Sequence, residues 1–208
     1  MHGLARTSGS MQKIEQSLQE KNFYVVNLGY PSRSHTIKKL SEIAIRPALQ
    51  KCEQRKINFV THSLGGILVR QYLANHDIPN LNRVVMLGPP NRGSEVVDKM
   101  KDVTGFNFIN GKAGRQLGTD SDSVPNQLGR ANFEVGIIAG SRTINFILSL
   151  LIPGKDDGKV SIERTKLEGM SDHIVIPATH SFMMRNKQVI KQVVHYLHNG
   201  KFIKESDS

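Results

Sequence analysis

The segment around Ser63 constrains the fold more than any other part of the chain. Residues 57–61 form a short apolar run rich in β-branched and aromatic residues, and an amphipathic helical pattern begins at Leu64. Ser63 therefore lies in a tight turn between a strand and a helix, and Gly65 and Gly66 follow it. A strand that turns directly into a helix predicts one βα unit of a parallel sheet.

Apolar runs alternate with helical patterns along the rest of the chain. The predicted strands cover residues 23–28, 57–61, 83–87, 135–140 and 173–177. The predicted helices cover residues 11–20, 37–52, 64–75 and 186–198. Continuous apolar runs of this length are typical of strands buried on both faces. We therefore expect an α/β fold in which helices flank both faces of a mostly parallel sheet.

The length of 208 residues suits a single domain that spans residues 1–208. Residues 107–132 are rich in Gly, Asn, Asp and Ser and show little periodicity, which predicts a loop or a small cap insertion. The most apolar run, residues 144–152, is shorter than the roughly 20 residues of a membrane-spanning helix.

The net charge of +10 comes from 28 basic and 18 acidic residues. The basic residues are spread along the chain without a nucleic-acid-binding motif, so we interpret them as a solvated surface and expect no nucleic-acid partner. Weak attraction to anionic membrane surfaces stays open. Cys52 is the single cysteine, which excludes an internal disulfide and predicts a structural thiol.

The first ten residues lack the basic and apolar regions of a secretory signal. This composition, together with the single cysteine, predicts a cytoplasmic protein. Export stays open as an alternative, because a segment could precede the start of this sequence.

The turn at Ser63 also carries a chemical prediction. Backbone N–H groups at the start of a helix favour negative charge, so a serine there can act as a nucleophile beside the N–H of Leu64. Serine is also a common N-cap, but the strand–turn–helix context favours the catalytic interpretation. Thr61 stands where the G-x-S-x-G pattern has its first glycine, and His62 is interpreted as a packing residue.

The T-H-S-L-G-G turn resembles that of the bacterial lipase and esterase branch of the α/β-hydrolase superfamily. The resemblance extends from His2-Gly3 to the last helix. It implies an α/β-hydrolase fold with a minimal lid or none, and an acyl-enzyme mechanism that needs no metal or organic cofactor. Relatives carry an apolar strand just before the H-G motif, and this strand is missing here.

The resemblance also assigns the other catalytic residues. The H-G motif implies that the N–H of Leu4 is the second oxyanion donor. His180 follows the last predicted strand at its carboxyl end and matches the late histidine of the family, which makes it the general base. Asp157 matches the acid of the D-G-x-V segment, and Asp156 is the alternative.

The predicted function is hydrolysis of carboxylic esters of small molecules or lipids, by an esterase or a lidless lipase. Two alternatives stay open: an acyltransferase or thioesterase with the same triad, and a catalytically silent binding protein. Four residues are expected to border the substrate pocket: Tyr30, Pro90, Phe146 and Met183. The oligomeric state is not predicted.

Overall fold

Four parallel strands form the centre of the structure. The computed structural model describes residues 1–100, 106–143, 152 and 154–204, with the backbone alone for 106–110. The strands lie side by side in chain order as β1 (Ile57–His62), β2 (Leu81–Leu87), β3 (Val135–Gly140) and β4 (Asp172–Ile176). All three neighbouring pairs are parallel, which confirms the predicted sheet type.

The helices begin and end where local capping groups are available. Thr36 caps the second helix by accepting from the Lys39 amide, and Asn186 caps the last helix, which ends at the left-handed Gly200. Two 3-10 helices cover Ser8–Met11 and His180–Arg185. The α-helices are α1 (Gln12–Gln19), α2 (Ile37–Cys52), α3 (Leu64–Leu73), α4 (Glu95–Met100), α5 (Phe106–Arg115), α6 (Val124–Gln127), α7 (Ile162–Thr165) and α8 (Lys187–Asn199).

Helices cover both faces of the sheet. Along β2, Val85 and Leu87 pack with residues of α1 and α8, whereas Val84 and Met86 pack with residues of α2 and α3. This alternation is the two-residue period of a strand, and it explains why the strand sequences are continuously apolar. Within the described ranges, no helix has the length and apolar character needed to cross a bilayer.

The segment predicted as a loop or small cap, residues 107–132, contains most of α5 and all of α6. Gly111 has a φ of 62° and interrupts α5. The Lys112 amide donates to the Arg33 carbonyl beside this kink, so the segment is tied to the loop before α2.

The outer edge of β1 pairs with a single residue of the described chain. The Met1 amine donates to the Val60 carbonyl at 2.7 Å, and the His62 amide donates to the Met1 carbonyl at 3.0 Å. These two bonds form one parallel bridge. β1 is thus an edge strand of the sheet within the described residues.

The prediction of a strand at residues 23–28 is wrong. The described backbone there has no ladder partner. A groove of about 340 Å³ is lined both by this segment and by β1, with Phe23 and Phe59 among its walls. A strand needs a partner backbone at hydrogen-bonding distance, and this segment has none, although its sequence has strand propensity.

A substitution at Gly136 on β3 can test how α8 packs on the sheet. A Cβ at this position would lie 2.4 Å from a ring carbon of Tyr196. We expect Gly136→Ala to lower the free energy of unfolding by about 1–3 kcal/mol through overpacking, measured by urea denaturation. The control is Gly9→Ala, whose Cβ would meet its nearest neighbour at 3.6 Å. An equal effect of both substitutions would contradict the packing described here.

Because the Met1 amine is buried, we expect the stability of the protein to depend on pH. Burial lowers its pKa from 8.0 to about 5. As the pH falls from 8 to 5, the unfolded chain therefore binds a proton that the folded chain does not bind, and stability falls. Adding one glycine before Met1 replaces the amine by an amide, which still donates to Val60. We expect a shallower dependence and higher stability at low pH, and parallel curves would disprove this account.

Candidate active site

Ser63 occupies a strained turn between β1 and α3. Its φ of 51° and ψ of −121° lie in a region that non-glycine residues rarely adopt, at a cost of about 1–3 kcal/mol. The Ser63 amide donates to the Leu87 carbonyl at 2.9 Å, which ties the turn to the end of β2. The serine side chain is thereby presented at the carboxyl edge of the sheet.

Glycines allow other segments to approach this turn closely. A Cβ on Gly3 would lie 2.8 Å from Nδ1 of His62 and 3.1 Å from Cβ of Ser63. A Cβ on Gly65 would lie 3.0 Å from the His2 carbonyl oxygen. Thr61 is fully buried, and its hydroxyl donates to a β2 carbonyl at 3.4 Å, so the larger residue in place of the usual glycine is accommodated.

Asp157 and His180 form a buried pair. Nδ1 of His180 lies 2.7 Å from Oδ2 of Asp157, and the His180 amide donates to the Asp157 carbonyl at 2.9 Å. The other carboxylate oxygen accepts from the amides of Lys159 at 3.0 Å and Val160 at 2.9 Å. The alternative acid, Asp156, instead accepts from the Gly158 amide at 2.6 Å. An ionised Asp157 fixes the proton on Nδ1, which leaves Nε2 as a proton acceptor.

His62 supports the backbone of His180. Its ring lies 4.7 Å from the His180 ring, centroid to centroid, and its Nε2 lies 3.0 Å from the His180 carbonyl oxygen. Because a carbonyl only accepts, Nε2 carries the proton. Burial, followed by the nearby charges of His180, Arg6 and Lys159, holds the pKa of His62 well below its ordinary value. The residue interpreted as packing therefore also orders the loop of His180.

The segment after Met1 is held firmly beside the turn. The His2 ring stacks on Tyr30 at 3.9 Å, and the Tyr30 amide donates to the His2 ring nitrogen Nε2 at 3.2 Å. The Tyr30 hydroxyl donates to the His2 carbonyl. The Ala5 amide donates to the Ser32 hydroxyl at 3.0 Å. These contacts on both sides fix the backbone of Leu4.

Ser63 and His180 line one pocket of about 230 Å³. Leu4 and Pro90 lie on its walls. Within the described part of the chain, the backbone amides of Leu4 and Leu64 have no hydrogen-bond acceptor. The apolar remainder of the wall comes from Val96, Val97, Met100, Leu117 and Val160.

Two of the expected pocket residues, Tyr30 and Met183, have other positions. Tyr30 supports His2, and it is not part of the described lining of this pocket. Met183 is fully buried in the core with residues of α8. Phe146 lies outside the described residues. The first two side chains turn toward the interior of the protein, which their position in the sequence does not reveal.

Two basic residues of the pocket, Arg6 and Lys159, were not predicted. The spread of basic residues along the chain predicts a solvated surface instead. Their closeness in sequence to two candidate site residues could have indicated this position, because Arg6 lies two residues after Leu4 and Lys159 lies two residues after Asp157.

No protein-family model matches the chain, and no curated protein matches it. Solved structures do. The mature Bacillus licheniformis lipase BlEst2 superimposes with a TM-score of 0.73 at 19% identity, over 95% of this chain and 89% of that one. The chain has an α/β-hydrolase fold.

Other solved structures share this fold. The phospholipase PlaB from Legionella pneumophila gives a TM-score of 0.71 at 16% identity. The superposition covers 95% of this chain and 56% of the PlaB chain. The Paleococcus ferrophilus monoacylglycerol lipase gives 0.62 at 15% identity, over 96% of this chain and 93% of that one.

The Asp157–His180 bond can be tested by proton NMR. We expect a strongly downfield ring N–H signal from His180, because its proton is shared with a buried carboxylate over a 2.7 Å contact. Asp157→Asn should abolish the signal, whereas the matched control Asp156→Asn should keep it. Loss of the signal in the control alone would assign the acid to Asp156.

Proposed function

We propose that the protein is a serine hydrolase that cleaves carboxylic esters through an acyl-enzyme. Ser63 is the nucleophile, His180 the general base and Asp157 the acid that orients it. The observation that carries the proposal is the buried Asp157–His180 pair, with its histidine in the same pocket as the strained Ser63. The names of the structural neighbours, a lipase, a phospholipase and a monoacylglycerol lipase, support the same class of reaction.

In the first half-reaction, Oγ of Ser63 attacks the ester carbonyl carbon while Nε2 of His180 takes the hydroxyl proton. The carbonyl oxygen becomes an oxyanion that the amides of Leu4 and Leu64 stabilise. Losing one such donor costs about 100- to 1,000-fold in rate. The tetrahedral intermediate then expels the alcohol, which receives the proton from His180.

In the second half-reaction, water attacks the acyl-enzyme, and His180 accepts its proton. Collapse of the second oxyanion breaks the bond to Ser63, which regains the proton as the acid leaves. Asp157 stabilises the imidazolium in both halves. Its two amide contacts hold the carboxylate in place throughout the cycle.

Hydrolysis of p-nitrophenyl esters from acetate to palmitate tests the assignment. We expect Ser63→Ala and His180→Gln to lower kcat by at least about 10⁴-fold, because each removes a member of the triad. We expect Asp157→Asn to lower kcat by about 10⁴-fold, because the asparagine fixes the wrong histidine tautomer.

Ser34→Ala serves as the matched control, because Ser34 is an exposed serine outside the pocket. A fluorophosphonate probe should label the wild type and this control but not Ser63→Ala. Full activity of Ser63→Ala would reject Ser63 as the nucleophile. A folded wild type that is neither active nor labelled would favour a binding role for the fold.

A further inference from the structure

The pocket of Ser63 contains two cations from separate segments. Arg6 follows the Leu4 turn, and Lys159 follows the Asp157 loop. Among the described lining residues of this pocket there is no aspartate or glutamate. The nucleophile is therefore approached through a wall whose formal charge is positive.

Neither cation forms an ion pair with an acidic side chain of the described residues. Asp157 is the carboxylate that acts electrostatically on Lys159, but its two oxygens are bonded to His180 and to two amides. In the part of the chain that the structure describes, no other carboxylate pairs with either cation.

The two cations also lie close enough to affect each other. Both side chains line the same pocket, and desolvation, followed by the charge of Arg6, lowers the pKa of the Lys159 ammonium. Two neighbouring cations repel each other, and a bound anion would relieve this repulsion. Arginine and lysine are also the usual partners of phosphate and carboxylate groups.

The rest of the wall is apolar. Helix α4 contributes Val96, Val97 and Met100, and two further apolar residues of the wall are Leu117 and Val160. A pocket that combines an apolar wall with two cations fits a molecule with an acyl chain and an anionic group.

We infer that Arg6 and Lys159 form a subsite for an anionic group, so that the preferred substrates are acyl esters with a phosphate or carboxylate near the scissile bond. This inference rests on the ester hydrolysis proposed above and specifies its substrate class. The anion can belong to the alcohol or to the acyl portion, since both flank the same carbonyl.

Two matched pairs of esters separate these sources. The first pair is monooctanoylglycerol and monooctanoylglycerol phosphate, with the anion on the alcohol. The second pair is p-nitrophenyl butyrate and mono-p-nitrophenyl succinate, with the anion on the acyl portion. The measured quantity is the ratio of kcat/KM for the anionic ester to kcat/KM for the neutral one.

We expect the wild type to favour the anionic ester in at least one pair, and added salt to reduce this preference. In the double variant Arg6→Gln/Lys159→Gln the ratio should fall by about 10- to 100-fold, mainly through KM, because a charge-assisted contact is lost in the bound substrate. The single variants should each give part of this loss, and they keep the test available if the double variant unfolds.

The matched control is Lys187→Gln/Lys191→Gln, which removes the same net charge from exposed positions of α8. Its ratio should stay at the wild-type value. Equal ratios in the pocket variant, the control and the wild type, with hydrolysis that depends on Ser63, would overturn the anionic subsite and leave the ester hydrolase intact.

Calorimetric titration with butylphosphonate tests the subsite without turnover. We expect wild-type protein to bind this anion at least tenfold more tightly than the Arg6→Gln/Lys159→Gln variant. Absence of binding to the wild type would overturn the subsite even if neutral esters are hydrolysed. Binding without hydrolysis of any ester would reject the proposed reaction and retain the anion site.

Discussion

The strained backbone of Ser63 is the constraint on which the rest of the site depends. A residue with φ of 51° reverses the chain within one position, so β1 ends and α3 begins with only Ser63 between them. Holding this conformation costs about 1–3 kcal/mol, which the surrounding structure must supply. The Ser63 amide bonds to the end of β2, and the preceding amide bonds to Met1, so backbone contacts on both sides hold the turn.

Parallel strands bring the other catalytic candidates to the same place. The segments that follow β3 and β4 leave the sheet at its carboxyl edge, which is also where β1 delivers Ser63. Asp157 and His180 lie in these segments and bond through both side chain and backbone. His62, next to Ser63, donates to the His180 carbonyl, so the turn of Ser63 and the loop of His180 are directly connected.

The electrostatics of the pocket follow from the same arrangement. Burial, followed by the nearby charges of His180 and Arg6, holds the pKa of His62 well below its ordinary value. The Asp157 carboxylate accepts hydrogen bonds from the His180 ring and from two backbone amides. Arg6 and Lys159 line the pocket, and neither takes part in a salt bridge within the described residues. If these two cations form the proposed anionic subsite, substrate charge is a variable that the pocket discriminates.

The parallel sheet, the helices on both faces and the strand–turn–helix around Ser63 could be predicted from the sequence, because buried strands and amphipathic helices have strong local periodicities. The lack of pairing at residues 23–28 emerges from the three-dimensional arrangement, since pairing requires a partner strand and not propensity alone. This arrangement also distinguished Asp157 from Asp156, which are adjacent in sequence but bond to different groups. Arg6, Lys159 and Tyr30 could not be assigned from the sequence, because the direction of a loop side chain depends on contacts between segments far apart in the chain.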